Sequence, residues 1–236
     1  MPPKSQAPIQ NKILAALPAK EYDRLAKHLS SVSFTHGDIL YKTEQRIRDV
    51  YFVGSGVVSL VANMKDGRGV EVGLVGNDGM VGLSVALGDD VSPTDAIVQI
   101  ADGAVRLSAD VLKKEMNREG KLLSLLQLNA LIMMKQVSQT AACNGSHTVG
   151  ERLARWLLMC HDRVQGDEIK LTQEFISQML GIRRSGVSEA ATLLQARNLI
   201  SYSRGNITIM NRSGVEAFAC ECYGIVRAEY DRLFKS

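Results

Sequence analysis

The sequence predicts an α+β protein: an N-terminal antiparallel β-module, then a long helix, then a helix-turn-helix followed by a β-hairpin. Three observations carry this. Short β-branched segments punctuated by glycine recur from Val32 to Ser108. An apolar 3-4 repeat runs through the stretch that follows, and Thr172 to Ala196 reads as two helices hinged at Gly181. With 236 residues, 45% hydrophobic and 22% charged, the chain has material for two modest cores and is neither disordered nor fibrous in composition.

Residues 1–30 read as a helical preface. Ile13 to Leu17 is apolar-periodic, and Tyr22, Leu25 and Leu29 recur at helical spacing after Pro18. The opening MPPKSQAPIQNK carries no apolar stretch followed by a cleavage signal, and no apolar run is long enough to span a bilayer, so a cytoplasmic protein without membrane contact is expected. In residues 31–108 the segments SVSF, DILY, DVYFVGSGVVSLVAN, GVEVGLVG, AIVQIA and AVRLS alternate with turn signals such as His36-Gly37-Asp38, Lys65-Asp66-Gly67 and Gly88-Asp89-Asp90. That spacing predicts an antiparallel sandwich or barrel.

Residues 109–143 follow as one long helix. Leu123, Leu126, Ala130, Met133, Val137 and Thr140 are spaced 3, 4, 3, 4 and 3 apart, the seam of a coiled coil, which predicts a homodimer through this helix. Asn144-Gly145-Ser146 is expected to be a linker. Beyond it, Val149, Leu153, Trp156, Leu157 and Cys160 mark an amphipathic helix, Glu168 to Leu171 a strand, LISYS-RGN-ITIM a hairpin, and Ser213 with Glu216 a capping box that opens a last helix in 214–236.

The stretch TQEFISQMLGIRRSGVSEAATLLQA holds the most chemistry. Thr172 suits an N-cap, Gly181 the positive φ of a sharp inter-helix turn, and the second helix should start near Arg183. Counting from Gln173, the small fifth residue Ser177 lets the helices approach and the branched fifteenth, Val187, fills the angle between them. Ile176, Leu180, Ile182 and Ala190 supply the other buried contacts. The second helix then presents Arg183, Arg184, Ser185, Ser188 and Glu189 where such a helix meets base edges in a major groove. Net charge is only +3, yet Gly181 to Arg212 holds Arg183, Arg184, Arg197, Arg204 and Arg212 against the single acid Glu189, a local patch suited to double-stranded DNA.

Taken in order, FVGSGVVSLV, GLVGNDGMVGL, the apolar helix, VGERLARWLL, LTQEFISQMLGIRRSGVSEAATLL and the hairpin resemble the Crp/Fnr superfamily of bacterial transcription regulators over about residues 20 to 213. The resemblance implies a cyclic-nucleotide-binding-like β-roll that senses a signal, and a winged helix-turn-helix DNA-binding domain in residues 144–213. It also implies a homodimer on a two-fold promoter site, with RNA polymerase as a candidate partner. Position by position, Thr172 and Gln173 match residues that lie against phosphate, and Arg184 matches the arginine that reads guanine; Arg204 falls in the wing, within reach of phosphate. Ser185 stands where the family has glutamate and Glu189 where it has a second arginine, so base preference should differ.

The sensing loop departs further. The effector positions of the β-roll are Gly82, Leu83, Ser84 and Thr94; Leu83 replaces the glutamate of cyclic-AMP-binding relatives, and no arginine stands near Pro93-Thr94-Asp95. A buried cyclic phosphate there would forgo a charge-assisted hydrogen bond of about 1.5 to 3 kcal/mol, which argues against cyclic AMP in its usual pose. With no cysteine before Cys143, the iron–sulfur arrangement of the oxygen-sensing branch is absent, and His28, His36 and His147 read as surface or capping residues, not haem ligands. Cys143, Cys160, Cys220 and Cys222 are read as reduced, small apolar fillers, since Cys220-x-Cys222 has no second pair at metal-site spacing; no metal is expected. Two other functional classes fit the residues less well. A nucleotide-binding module for a non-DNA partner is disfavoured by Leu180-Gly181-Ile182 with its arginines, and an enzyme by the lack of a catalytic constellation.

Overall fold

Two apolar clusters divide the described chain, and one sheet serves both. The computed structural model describes residues 10–235. The chain opens with α1 (Lys12–Ala15) and α2 (Ala19–Ala26), the part of the helical preface that lies within the described residues. It continues through β1 (Ser30–Ser33), β2 (Ile39–Tyr41), β3 (Asp49–Val53), β4 (Val57–Asn63), β5 (Gly69–Val75), β6 (Met80–Val81), a 3-10 turn at Leu83–Leu87, β7 (Asp95–Ile100) and β8 (Gly103–Ser108). These strands form two four-stranded antiparallel sheets, ordered β1-β8-β3-β6 and β2-β7-β4-β5. The expected segments are all strands, with DVYFVGSGVVSLVAN split into β3 and β4 at its glycines; β6 is too short to have left a pattern.

The expected single helix of residues 109–143 is two: α3 (Ala109–Met116) and α4 (Lys121–Ser146). The break lies where Glu119 adopts φ +54°, and the new N-terminus at Gly120 is capped from a distance, with Lys121 N and Leu122 N donating to the Glu21 carboxylate at 3.0 and 3.2 Å. Asn144, Gly145 and Ser146, expected as a linker, complete the last turn of α4, and the chain leaves helix only at His147. Thr148 and Glu151 then form a full capping box that starts α5 (Val149–His161).

The rest of the chain is β9 (Glu168–Lys170), α6 (Gln173–Leu180), α7 (Arg184–Ala196), β10 (Ile200–Ser203), β11 (Asn206–Ile209), α8 (Arg212–Phe218) and α9 (Cys222–Lys235), with a small sheet β10-β11-β9. The predicted C-terminal helix is thus a pair, and its capping box is not formed. Asn211 caps α8 by accepting from Gly214 N at 2.9 Å, while Glu216 pairs with Arg212 and Arg227.

One apolar cluster fills the β-roll around Phe52, Val58, Val98 and Leu107 and takes in Leu122 and Leu126 of α4. The other joins α5, α6, α7 and the wing, and also includes Val57, Val61 and Leu74. The β2-β7-β4-β5 sheet therefore gives one face to the roll and the other to the C-terminal domain. Five side chains form a buried polar network at that second face: Ser59 Oγ lies 2.7 Å from both Glu71 Oε2 and Gln99 Oε1, Trp156 Nε1 donates to Glu71 Oε1 at 2.9 Å, and Gln99 Nε2 donates to Cys160 Sγ at 2.9 Å.

Helix α4 faces two ways. Leu122, Leu125, Leu126, Asn129, Ala130, Ile132, Gln136 and Cys143 are buried within the chain, whereas Leu128, Leu131, Met134 and Val137 are exposed, Leu131 by 59% and Met134 by 66%. Of the sequence-read seam, Leu126 and Ala130 are consumed by the monomer's own core, Leu123, Met133 and Thr140 are half-buried, and Val137 alone borders the open stripe. The helix is apolar on most of its circumference, so a 3-4 repeat can be traced along its flank. The true inner face is masked by two polar residues: Gln136 bonds the backbone of Leu74 in both directions and reaches Tyr230 Oη at 3.0 Å, and Asn129 donates to Asp78 O.

Candidate nucleic-acid interface

Thr172 caps α6, its hydroxyl accepting from Phe175 N at 3.2 Å, and Gly181 ends that helix in the left-handed region at φ +62°. A side chain at Gly181 would be strained twice, since a Cβ there would also lie 2.9 Å from Val70 of β5. From α5, Arg152 donates to Leu180 O at 2.5 Å, holding the carbonyl end of α6. Ile176, Leu180, Val187 and Ala190 are buried, as the spacing requires, and Ile182 and Ser177 are half-buried.

Arg183 occupies the N-cap position of α7 without a side-chain capping bond, and Arg183, Arg184, Ser185 and Glu189 are all exposed. Ser188 is half-buried and turned toward α6, donating to Gln173 Oε1 at 3.0 Å. The wing turns at Arg204 and Gly205, with φ of +50° and +81° between the paired Ser203 and Asn206, the primed turn that matches strand twist. This turn brings Arg204 back to the recognition helix: Thr172, Gln173, Arg184, Tyr202, Arg204 and Gly205 line one open groove of about 350 Å³. Sequence reasoning missed Tyr202. Its signal was the two-residue period of β10, which puts it on the face of Ile200, and its hydroxyl donates to Leu171 O at 2.9 Å.

The basic patch is smaller than the sequence suggested. Arg212 pairs with Asp162 and Glu216 and bonds Tyr223 Oη, so it fastens α8 to α5 and α9; Arg197 lies over the Phe218 ring at 4.8 Å. Arg183, Arg184 and Arg204 are left at the groove and its rim.

Among the four effector positions, Gly82 is left-handed at φ +91° with Tyr41 Oη and Val50 against its open side, and Leu83 begins the 3-10 turn. Ser84 Oγ donates to Val91 O at 3.2 Å, and Thr94 O accepts from Ser92 Oγ at 2.8 Å. The neighbouring cations Arg46 and Lys113 both engage Asp90. A cavity of about 470 Å³ opens elsewhere, where Leu14, Tyr22 and Leu29 face Val32, Phe52 and Val105. Three of the four cysteines do not behave as fillers of either core: Cys143, Cys220 and Cys222 pack on one another as a separate cluster.

A β-roll joined through a long helix to a winged helix-turn-helix defines a two-domain regulator architecture. Residues 31–119 match the cyclic nucleotide-binding domain family and residues 151–218 the Crp-like helix-turn-helix domain family, and the chain belongs to the Crp/Fnr superfamily of transcription regulators. Similar solved structures include FixK2 from Bradyrhizobium japonicum (18% identity, TM-score 0.66, 81% of this chain and 98% of that one). Another is the c-di-GMP-responsive global regulator CLP from Xanthomonas campestris (16%, 0.63, 82% and 100%), and a third is a CRP-family transcriptional regulator from Thermus thermophilus (20%, 0.64, 80% and 96%). No curated protein sequence matches the chain. At these identities the structures support the fold alone. Among the described residues no helix is long and apolar enough to cross a membrane.

Proposed function

We propose that the chain acts as a homodimer that binds a two-fold DNA site, with α7 in the major groove and the wing on the backbone. The convergence of Thr172, Gln173, Arg184 and Arg204 on one groove carries this reading, because residues from three separate elements present one polar, cationic surface. Arg184, on the first turn of α7, reads a guanine edge; Ser185 and Glu189 address neighbouring bases; Arg183, Arg204, Thr172 and Gln173 hold phosphates. Ser188 serves the α6–α7 contact and not a base, given its bond to Gln173. The dimer forms along the exposed stripe Leu128, Leu131, Met134 and Val137, and its two α7 helices meet half-sites roughly 34 to 36 Å apart, the general spacing for helix-turn-helix dimers. The β-roll receives an effector other than cyclic AMP in its usual pose, since Leu83 stands where a carboxylate would be needed and the nearby Arg46 and Lys113 are both engaged by Asp90.

Fluorescence anisotropy with cognate and scrambled duplexes at two salt concentrations tests the assignment. Arg184→Ala should cost about 1 to 3 kcal/mol on the cognate site and flatten discrimination there. Arg204→Ala should weaken both duplexes alike and reduce the salt slope by about one for each phosphate left without its arginine, about two for the dimer. Equal loss on both duplexes for Arg184→Ala would make it a phosphate clamp.

A further inference from the structure

We propose that Cys143, His147, Cys220 and Cys222 form a closed, four-coordinate site for a single zinc-type divalent ion at the joint between α4 and the winged domain. The four donor atoms all lie within 4.8 Å of one another, with Cys143 Sγ 3.5 Å from Cys220 Sγ and Cys222 Sγ 3.6 Å from His147 Nδ1. A tetrahedral ion with bonds of about 2.3 Å to sulfur and 2.0 Å to nitrogen sets donor separations of roughly 3.5 to 3.8 Å, so the cluster needs only slight contraction. The space encloses one ion and has no room for a cluster of irons and sulfides. Soft thiolate and imidazole donors select zinc over magnesium or calcium, which take oxygen.

The surroundings are those of a ligand set. The three thiols are free and buried, and pack on each other apart from both apolar cores. His147 turns Nδ1 to the sulfurs while Nε2 lies 3.2 Å from Glu221 Oε2, the carboxylate–histidine arrangement that fixes tautomer and ring orientation at metal sites. Gln139 Nε2 donates to Cys222 Sγ at 3.1 Å, as an outer N–H does to a ligating thiolate. Three thiolates around a divalent ion carry one net negative charge, and the buried Arg155 stands close by, bonded to Thr140 Oγ1 and with its Nε unpartnered. With four protein ligands the site is closed to substrate, so its role is mechanical. Cys143 lies on the last turns of α4, His147 is the joint residue before α5, and Cys220 and Cys222 bracket the start of α9. The ion would lock the angle at which the long helix hands over to the DNA-binding domain.

The site was hidden in the sequence because its second pair is Cys143 with His147, one helical turn apart and 77 residues from Cys220. The test is to strip reduced full-length protein with a chelator and titrate it with cobalt(II). One ion per chain should bind, with the visible d–d bands and thiolate charge transfer of a tetrahedral site, and one equivalent of zinc should displace it. Cys222→Ser should lose the charge-transfer intensity of one thiolate. Glu221→Gln alters a side chain 70% exposed and should leave the fold intact while weakening metal affinity about 10- to 100-fold. Reduced protein with no thiolate–cobalt charge transfer overturns the proposal. So does a Cys143–Cys220 disulfide in protein that never takes metal, or an iron–sulfur spectrum in protein purified without oxygen.

Discussion

Glu71 of the β-roll keeps a buried carboxyl group at the contact with α5, where Trp156 donates to it. Burial pushes its carboxyl up to about 7, and the Ser59 and Trp156 hydrogen bonds only partly oppose this. Ser59 has one hydroxyl proton for two oxygen neighbours, so the chain is complete when protonated Glu71 donates to Ser59 and Ser59 donates to Gln99. The folded state therefore keeps a proton between about 4.5 and 7 that the unfolded chain releases. Stability contributed by this site is full below that window and falls as pH rises through it, by on the order of 3 kcal/mol at most. Urea unfolding should show wild type losing stability from about pH 5 to 7.5 more steeply than Glu71→Gln, and parallel profiles would contradict the assignment. Nothing in the sequence marked Glu71. It sits in GVEVGLVG, where alternation predicts a polar outer face for the strand, and only docking of Trp156 turns that face into an interior.

At the scale of elements, the helix-turn-helix and the existence of the long helix were legible, but the break in that helix and its buried face were not. Thr172, Gly181 and Val187 act through local rules of capping, left-handed φ and packing at fixed offsets, so their positions in the chain determine their roles. Helix α4 obeys no local rule that separates its faces. Asn129 and Gln136 are buried on one side and Leu131 and Met134 bare on the other, which inverts the usual pattern. The proposed dimer stripe therefore lies along the exposed Leu128, Leu131, Met134 and Val137 and not along the flank. Leu131→Glu should yield a folded monomer by analytical ultracentrifugation, with unchanged circular dichroism. Leu126→Glu, at a position 0% exposed, should unfold the β-roll instead. A dimeric Leu131→Glu would return the interface to another surface. Gly181→Val tests the turn, combining a forbidden φ with a clash on Val70, and should cost at least about 1 to 3 kcal/mol of stability.

Across the whole molecule, buried polar contacts join the two domains. Arg163, at the end of α5, meets Asp78 of the β5–β6 connection at 2.8 Å with both side chains almost fully buried, and its guanidinium lies over Tyr230 of α9 at 4.9 Å. Gly76 is required here, since a Cβ would fall 2.7 Å from that of Arg163. Arg163→Met removes one partner of a buried pair and should cost about 3 to 5 kcal/mol; replacing Asp78 as well should recover part of it. Glu71, Arg163 and α4 thus join the β-roll to the DNA-binding domain. The central claim is that two copies of α7 read DNA about one helical turn apart. Its most direct measurement is selection of bound duplexes from a random pool by wild type, Leu131→Glu and Arg184→Ala, read by sequencing. The account predicts an inverted repeat for wild type, a single half-site for Leu131→Glu, and loss of a guanine preference at one position in each half-site for Arg184→Ala. A wild-type pool without two-fold symmetry would contradict it.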